Sequence, residues 1–289
     1  MNPMDRQTEG QKPQVQNRQP GIESDMEPKP LLEDPDVKGS GRLKGKVAVI
    51  TGGDSGIGAA AAIAYAKEGA DLAILYLDEH ADAERTKKRA EEYQAECLLI
   101  PGDVGDEAHC QKAVRQVLDH YGKIDILVNN AAEQHPQNGI LDITAEQLEK
   151  TFRTNMFSMF HMTKAVLAHL KRGSAIINTT SITAYQGDTS LIDYSCTKGG
   201  IVSFTRSMAM SLADQGIRVN AVAPGPIWTA LIPATFTEEK VEKHGLDTPM
   251  GRPGQPAEHA GAYVLLASDE SSYMTGQTIH VNGGRFIST

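Results

Sequence analysis

The sequence predicts an α/β protein built on a doubly wound parallel sheet of about seven strands, with helices on both faces. Short, continuous apolar runs alternate with helical stretches, as in sheets that are covered on both sides. A glycine-rich turn joins the first apolar run to an alanine-rich helix. The 289 residues, 40% of them hydrophobic, are enough to bury such a sheet between two helical layers.

Seven apolar runs are the predicted strands, at residues 46–50, 72–76, 97–100, 124–128, 175–177, 217–222 and 278–281. About six helices alternate with them. The first covers 58–68, and Asp106 is an N-cap candidate for a helix that reaches residue 120. Thr144 and Gln147 form a capping-box pattern that opens a long helix toward Lys171. In such a sheet we expect ligands at the carboxyl ends of the strands.

Residues 1–42 differ in character from the rest of the chain. They hold six of the 14 prolines and five glutamines, so they bury little apolar surface and are predicted to form an arm. Ile22, Met26, Leu31 and Leu32 predict that residues 19–42 lie against the domain or a neighbouring subunit. We expect the glutamine-rich tip to be mobile and the arm to stay out of the active site. Residues 43–289 are predicted to be a single dinucleotide-binding domain.

Composition excludes several classes of protein. The net charge of −9 argues against a nucleic-acid partner, and the apolar runs are too short to span a bilayer. The three cysteines form no CxxC pair, and the nine histidines show no metal-ligand spacing. The N-terminus has no apolar signal-peptide core. We therefore expect a cytoplasmic protein without a metal, a nucleic-acid partner or a membrane partner.

The glycine-rich turn between the first strand and the first helix is the candidate phosphate site. Gly52, Gly56 and Gly58 allow a tight turn and let the backbone approach a pyrophosphate at a helix N-terminus. A plain tight turn is the alternative interpretation. The position between a strand and a helix favours dinucleotide binding.

A tyrosine and a lysine four residues apart predict proton-transfer chemistry. Tyr194 and Lys198 lie on one helix face, where the ammonium lowers the pKa of the phenol toward neutrality. Ser181 follows a predicted strand, and its hydroxyl can hold the substrate oxygen. An exposed tyrosine beside a solvated lysine is the alternative. The upstream serine and the glycine loop favour catalysis.

These motifs, taken in order, resemble the short-chain dehydrogenase/reductase family in its single-domain, Rossmann-type branch. The resemblance covers residues 43–289 and rests on TGxxxGxG at 51–58, Asp103-Val104, NNAA at 129–132, Asn155, Ser181, YxxxK at 194–198, NAVAPG at 220–225 and NGG at 282–284. The arm, the glycine loop and the segments 133–136 and 224–229 further resemble bacterial general-stress oxidoreductases of that family.

The resemblance implies roles for individual residues. The implied catalytic residues are Asn155, Ser181, Tyr194 and Lys198; Lys198 also binds ribose hydroxyls, and Asn155 holds a water in a proton relay. Asp103 would face the adenine, and Ile227 and Thr229 the nicotinamide, although ordinary loop roles are the alternative. The implied cofactor-binding residues are Thr51, Gly52, Asp54, Ser55, Gly56, Ile57, Gly58, Asp78, Asp103, Val104, Asn130, Ala131, Ala132, Tyr194, Lys198, Pro224, Gly225, Ile227 and Thr229.

The cofactor is expected to be NAD or NADP, with NAD slightly favoured. Tyr76 stands where many relatives carry the ribose-binding acid, and Leu77 stands at the common arginine position. Ser55 replaces the basic residue typical of NADP users. No cation is placed for a 2′-phosphate, and Asp78 and Glu79 would repel one. Asp78 is therefore the candidate ribose ligand.

The leading function is an NAD(P)-dependent oxidoreductase that acts on an alcohol, sugar alcohol, ketone or aldehyde. His135, Gln186, Asp188 and Trp228 are substrate-pocket candidates, each equally compatible with a structural role. One alternative is a 3-oxoacyl reductase, which would need a basic docking surface that an acidic chain makes less favourable. Another is a non-catalytic dinucleotide sensor, which has no need for the catalytic trio.

The helix that starts at Thr144 also predicts self-association. Met156, Phe157, Met159, Phe160 and Met162 give it apolar residues on more than one face. Such a helix must be covered on all sides, here by the sheet and by a neighbouring subunit. The resemblance implies pairing of long helices, and we expect a homotetramer.

Overall fold

A computed structural model describes residues 10–287. Its sheet has seven parallel strands in the order β3-β2-β1-β4-β5-β6-β7. The chain order therefore reverses between β1 and β4, which creates a crevice at their carboxyl ends. The strands are β1 (Val47–Thr51), β2 (Asp71–Tyr76), β3 (Cys97–Pro101), β4 (Ile126–Asn129), β5 (Ala175–Thr179), β6 (Arg218–Pro224) and β7 (Thr278–Val281).

Ten α-helices accompany the sheet within the described range, three of them only four or five residues long. They are α1 (Gly56–Lys67), α2 (His80–Glu91), α3 (Glu107–Tyr121), α4 (Ala145–Phe152), α5 (Ser158–Leu167), α6 (Thr183–Gln186), α7 (Ile192–Leu212), α8 (Leu231–Thr235), α9 (Glu238–Glu242) and α10 (Ala260–Ala267). Helices α1, α2 and α10 pack on one face of the sheet, and α3, α5 and α7 on the other, each over its own apolar cluster. The predicted fold class is confirmed.

Predicted strand and helix boundaries agree closely with the observed ones. Each predicted strand overlaps an observed strand, and the ends differ by at most two residues. Asp106 caps α3 by accepting from Ala108 N at 2.9 Å, and Thr144 caps α4 by accepting from Gln147 N at 3.1 Å. The predicted long helix from Thr144 is interrupted by a π-helical segment at Arg153–Phe157. Such segments are frequent at functional sites.

The described part of the arm, residues 10–42, runs over the surface of the domain and contributes no strand to the sheet. Met26 is fully buried in a small apolar cluster with Trp228, whose Nε1 donates to Pro28 O at 2.9 Å. Farther along, Glu33 pairs with Lys67 at 2.8 Å, and Arg42 pairs with Glu68 at 2.6 Å.

The prediction of a mobile glutamine-rich tip is wrong for residues 10–18. Gln11 N donates to Glu242 O at 3.1 Å, and Gln16 N donates to Pro233 O at 2.8 Å. These backbone hydrogen bonds bind the tip to the region of α8 and α9. The remaining part of the predicted tip, with Gln7, lies outside the described residues.

Two features are absent from residues 10–287, a candidate membrane span and a candidate metal site. No helix there is long and apolar enough to cross a membrane. Within the same range, no cluster of three or more His, Cys, Asp or Glu side chains is arranged to hold a metal ion.

Candidate active site

The main cavity lies at the carboxyl ends of the strands, around the crevice between β1 and β4. Its volume of about 470 Å³ falls within the range of small-molecule sites. It extends from the glycine loop to the start of α7. It can therefore hold a ligand that has a phosphate group at one end and a reacting group at the other. The predicted site residues that line it are Gly52, Asp54, Ser55, Gly56, Ile57, Asp103, Val104, Asn130, Ala131, Ala132, Ser181, Gln186, Asp188, Tyr194, Lys198, Pro224, Gly225, Ile227 and Thr229.

The catalytic candidates meet at one end of this cavity. Ser181 follows β5, and Tyr194 and Lys198 lie one turn apart on α7; all three are buried. Lys198 Nζ donates to Thr179 O at 2.9 Å and lies 5.3 Å from the centre of the Tyr194 ring. Ser181 lies close enough to Tyr194 for its side chain to lower the pKa of the phenol. The helical spacing of the tyrosine and lysine therefore places both groups beside the serine.

Burial dominates the pKa values of this group. It raises the pKa of Tyr194 to about 12, against the lowering effect of the Ser181 side chain. Burial also lowers the pKa of Lys198 to about 7, so the amine carries only part of a positive charge at neutral pH. For these protein groups alone, burial therefore outweighs the lowering of the Tyr194 pKa that we expect from a charged Lys198. The positive charge of an oxidised nicotinamide would lower the pKa of Tyr194 and so oppose the effect of burial.

Asn155 lies in the π-helical segment and does not line the cavity. Its Oδ1 accepts from Glu133 N at 2.8 Å, while its Nδ2 donates to Glu133 O at 2.9 Å and to Thr197 Oγ1 at 3.2 Å. These bonds tie α7 and the π-helical segment to the loop that follows β4. Asn155 thereby fixes the wall next to Lys198.

The glycine loop has the geometry of a phosphate cradle. Gly52 and Gly56 have φ of +61° and +53°, which non-glycine residues rarely adopt. A Cβ on Gly58 would lie 1.9 Å from Gly52 O, so the loop closes tightly onto α1. Ser55, Gly56 and Ile57 at the start of α1 line a cavity of suitable size, and this arrangement fits a dinucleotide pyrophosphate.

Thr51 and Gly58 support the cradle from outside the cavity. Thr51 Oγ1 accepts from Asn130 N at 2.9 Å and from Ala131 N at 3.1 Å. Asn130 Nδ2 donates back to Gly52 O at 3.0 Å. These bonds join the ends of β1 and β4. In the loop after β3, Asp103 Oδ1 accepts from Gly105 N at 2.7 Å.

Asp78, the expected ribose ligand, does not line the cavity. Its carboxylate is directed to Arg18 of the arm, and the pKa of Asp78 is lowered by that guanidinium although desolvation opposes the shift. Glu79 lines the cavity instead and is 3.2 Å from Arg18. Burial, followed by the nearby Asp54, raises the pKa of Glu79 to about 7. The expectation that no cation lies at this position is also wrong, because Arg18 arrives from 60 residues away.

Two further substrate candidates lie away from the cavity. Trp228 is fully buried against the arm, since its ring packs on Met26 and its Nε1 bonds Pro28. His135 lies outside the cavity, with its Nε2 3.5 Å from Glu133 Oε2. Both expectations are corrected. Gln186 and Asp188 do line the cavity near Tyr194.

Several residues at the cavity escaped the sequence analysis. Gln19, Pro20 and Gly21 of the arm line it, contrary to the expectation that the arm stays out of the active site. Thr183 and His244 also line it, and Thr183 Oγ1 and His244 Nε2 are buried without a hydrogen-bond partner in the described structure. The apolar residues and prolines of the arm were the available signal for docking, but they gave no position on the domain.

Comparison with known proteins agrees with this geometry. A family profile described as Enoyl-(Acyl carrier protein) reductase matches residues 52–285. An uncharacterized oxidoreductase of Bacillus subtilis is 81% identical over 289 residues, which is all of both chains. General stress protein 39 of the same organism is 66% identical over 96% of each chain. NADPH-dependent aldehyde reductase 1 of Arabidopsis thaliana is 50% identical over 95% of this chain and 98% of its own.

Solved structures share the domain. A short-chain dehydrogenase from Burkholderia cenocepacia in complex with NADP has a TM-score of 0.78 and 28% identity, and the match covers 84% of this chain and 99% of its own. The 3-ketoacyl-(acyl-carrier-protein) reductase from Brucella melitensis complexed with NADH has a TM-score of 0.78 and 35% identity, covering 85% and 100%. About a seventh of this chain, a share similar to that of the arm, has no counterpart in either structure. The chain belongs to the short-chain dehydrogenase/reductase family and is an NAD(P)-dependent oxidoreductase.

Proposed function

We propose that this protein interconverts a small alcohol, one that carries a second hydroxyl group, and its carbonyl form. Ser181, Tyr194 and Lys198 are the catalytic residues. The observation that carries the proposal is the burial of all three side chains together at one end of the cavity. The glycine cradle lies at the other end. A non-catalytic dinucleotide sensor would gain nothing from this arrangement.

The proposed mechanism follows from the positions of these groups. Ser181 Oγ and the Tyr194 hydroxyl hold the substrate oxygen, and Tyr194 transfers the proton. Bound nicotinamide supplies or accepts the hydride. Lys198 holds the ribose and, as an ammonium, favours the ionised phenol. Asn155 supports the proton relay through Lys198, because it fixes the backbone at Glu133 and the helix beside Lys198.

We propose that each of the remaining cofactor-binding residues contacts one part of the dinucleotide. The glycine loop from Thr51 to Gly58 binds the pyrophosphate, with Thr51 and Gly58 as its supports. Asp103 and Val104 face the adenine. Ile227 and Thr229 contact the nicotinamide.

We propose a preference for NAD over NADP. Asp54, Asp78 and Glu79 bring three carboxyl groups to the end of β2, against the single guanidinium of Arg18. A 2′-phosphate would meet more acidic groups than cationic ones there. Glu79→Gln should therefore raise kcat/KM with NADP relative to NAD, whereas Arg18→Ala should lower it. An unchanged ratio in both variants would refute this assignment.

The substrate end of the cavity favours a substrate with a second hydroxyl group. Burial lowers the pKa of His244 to about 4, so its imidazole is neutral. Its Nε2 has no hydrogen-bond partner within the described residues, and a neutral imidazole can accept a hydrogen bond from a substrate hydroxyl there. Thr183, two residues after Ser181, offers an unpartnered hydroxyl in the same cavity. Gln186 and Asp188 extend this polar wall.

A substrate panel tests the proposed function. Hydroxyaldehydes, sugar alcohols, simple aldehydes, ketones and an acyl thioester are assayed by nicotinamide absorbance with each cofactor. We expect higher kcat/KM for hydroxylated substrates than for their deoxy analogues, and Thr183→Val should reduce that advantage while leaving the deoxy analogue unaffected. Exclusive reduction of the acyl thioester would instead establish the 3-oxoacyl reductase function.

We also propose that the chain forms a homotetramer. Met159 and Met162 of α5 are buried, whereas Phe157 and Phe160 are 44% and 46% exposed. Leu148 of α4 is 44% exposed as well. A second copy of the same helices would cover this outward apolar face. Light scattering at micromolar concentration should give four times the 31.2 kDa chain mass, and a monomer mass would refute the proposal.

A further inference from the structure

A short part of the arm passes over the mouth of the main cavity. We call residues 18–23 the crossing segment. Gln19, Pro20 and Gly21 line the cavity together with the glycine loop and the end of β2. Arg18 holds one end of the segment through its ion pairs with Asp78 and Glu79. The middle of the crossing segment thus borders the cavity, whereas its two end residues do not line it.

Glu23 at the other end of the segment bonds directly to the glycine loop. Its Oε2 accepts from Gly56 N at 2.7 Å, and the carboxyl group is buried. Gly56 is the first residue of α1, and the N-cap Ser55 forms no side-chain cap hydrogen bond. The arm therefore provides an acceptor for a helix-terminal amide that the local sequence leaves unsatisfied.

The position of Glu23 is itself fixed by α2. Asp82 Oδ2 accepts from Glu23 N at 2.6 Å, and Asp82 Oδ1 accepts from Ser24 N at 3.1 Å. Arg85 forms ion pairs with both Glu23 and Asp82. The glycine loop is thus joined to α2 through an arm side chain. Loss of Glu23 would leave Gly56 N without this acceptor.

The middle of the crossing segment fits the opposite wall closely. Gln19 Nε2 donates to Gln134 O at 2.6 Å, and its Oε1 accepts from Gln134 N at 3.1 Å. A Cβ added to Gly21 would lie 2.3 Å from Ala230 O. These contacts connect the segment to the loops that follow β4 and β6, where the nicotinamide end of the site is proposed to lie.

We propose that the crossing segment is a structural part of the dinucleotide site, so that docking of this segment, and not of the rest of the arm, and dinucleotide binding stabilise each other. Glu23 is a positioning residue that fixes the glycine loop before the ligand arrives, which reduces the ordering cost of binding. Gln19, Pro20 and Gly21 form a wall against solvent. The coupling must be reciprocal, because each binding event changes the free energy of the other by the same amount. The proposal depends on the dinucleotide occupying this cavity, but not on the identity of the substrate.

Dinucleotide affinity provides the first test, in the full-length chain. NADH and NADPH are titrated by fluorescence into the wild type, Glu23→Leu and the matched control Glu33→Leu. Glu33 also joins the arm to the domain, through Lys67 and Arg89, but does not line the cavity. We expect Glu23→Leu to raise Kd at least about fivefold and Glu33→Leu to leave Kd unchanged. An unchanged Kd in Glu23→Leu, or an equal rise in both variants, would overturn the proposal.

Limited proteolysis of the wild type provides the second test and needs no variant. Trypsin can cut after Arg18 in the crossing segment and after Lys38 outside it, whereas Lys12 and Lys29 precede prolines. Saturating NADH or NADPH should slow cleavage after Arg18 at least about fivefold and leave cleavage after Lys38 unchanged. Equal rates with and without dinucleotide, or equal protection at both bonds, would refute the coupling. Both tests measure binding, so they can succeed even if the proposed substrate class is wrong.

Discussion

The two ends of the cavity are built in different ways. At the catalytic end, Ser181, Tyr194 and Lys198 come from the end of β5 and one face of α7, within 18 residues of chain. At the arm end, the crossing segment meets groups from α1, α2 and the loops after β4 and β6. The catalytic geometry thus depends on helical spacing, whereas the arm end depends on long-range docking. Substitutions at the first should affect chemistry, and substitutions at the second should affect binding and stability.

Tyr194→Phe should give the largest effect of those we predict. It removes the proton-transfer hydroxyl and keeps the buried ring, so turnover should fall by about 10²- to 10⁴-fold. Dinucleotide affinity and melting temperature should stay close to those of the wild type. Steady-state kinetics and a fluorescence titration measure the two quantities. Turnover near the wild-type level would remove Tyr194 from the mechanism.

Lys198→Met separates the two roles of the lysine. Turnover should fall by about 10²-fold and dinucleotide Kd should rise, because the amine is proposed to serve both the proton relay and the ribose. Thermal stability should increase, since burial lowers the pKa of Lys198 to about 7 and thus penalises its charged form. Calorimetry and titration provide the readouts. An unchanged Kd would show that the ribose assignment is wrong.

Much of the catalytic end could be predicted from sequence because its signals are local. Apolar runs located all seven strands, and a four-residue spacing placed Tyr194 beside Lys198. The side-chain positions at the end of β2 were harder to predict, because neighbouring side chains beyond a strand point in different directions. Asp78 turns toward the arm and Glu79 toward the cavity, although the two are adjacent in sequence. No periodic pattern in the sequence predicts which of these two residues faces the cavity.

The arm end could not be predicted because its contacts join distant and irregular segments. Glu23 and Gly56 are 33 residues apart, and Gln19 and Gln134 are 115 apart. Most of these bonds use backbone amides or carbonyls, which carry no sequence signature. Trp228, the one tryptophan of the chain, is a substrate-pocket candidate by sequence, but its partner Met26 lies in the arm.

Substitutions of Trp228 sharpen the distinction between anchoring and substrate binding. Trp228→Ala should lower the free energy of unfolding by about 3–5 kcal/mol, because the ring is fully buried against Met26. Trp228→Phe retains a ring and loses the hydrogen bond to Pro28, which should cost about 1 kcal/mol. Denaturant titration measures both values. A large change in substrate KM for Trp228→Phe would indicate that Trp228 contacts the substrate and would contradict its role as an anchor of the arm.

The pH dependence of stability should show the smallest effect, and its sign follows from the burial of Glu23. Burial raises the pKa of Glu23 to about 7. The Gly56 amide and Arg85 act in the lowering direction, and Asp82 and Asp54 act in the raising direction. The unfolded chain titrates this carboxyl near its ordinary value of 4.5. The folded state therefore binds more protons than the unfolded state between these two values.

Stability contributed by Glu23 is fully present below about pH 4.5 and is lost as the pH rises through about 7. Glu33 and Glu68, whose pKa values are lowered to about 2 by their cationic partners despite opposing desolvation, keep their contributions throughout the range from pH 6 to 8. The Glu23 contribution by itself should thus lower the melting temperature of the wild type at pH 8 relative to pH 6. Glu23→Leu should show a smaller difference between the two, and Glu33→Leu the same difference as the wild type. If Glu23→Leu kept the full difference, the proton uptake would belong to other groups, and the arm end would owe its stability to packing rather than to this buried carboxyl.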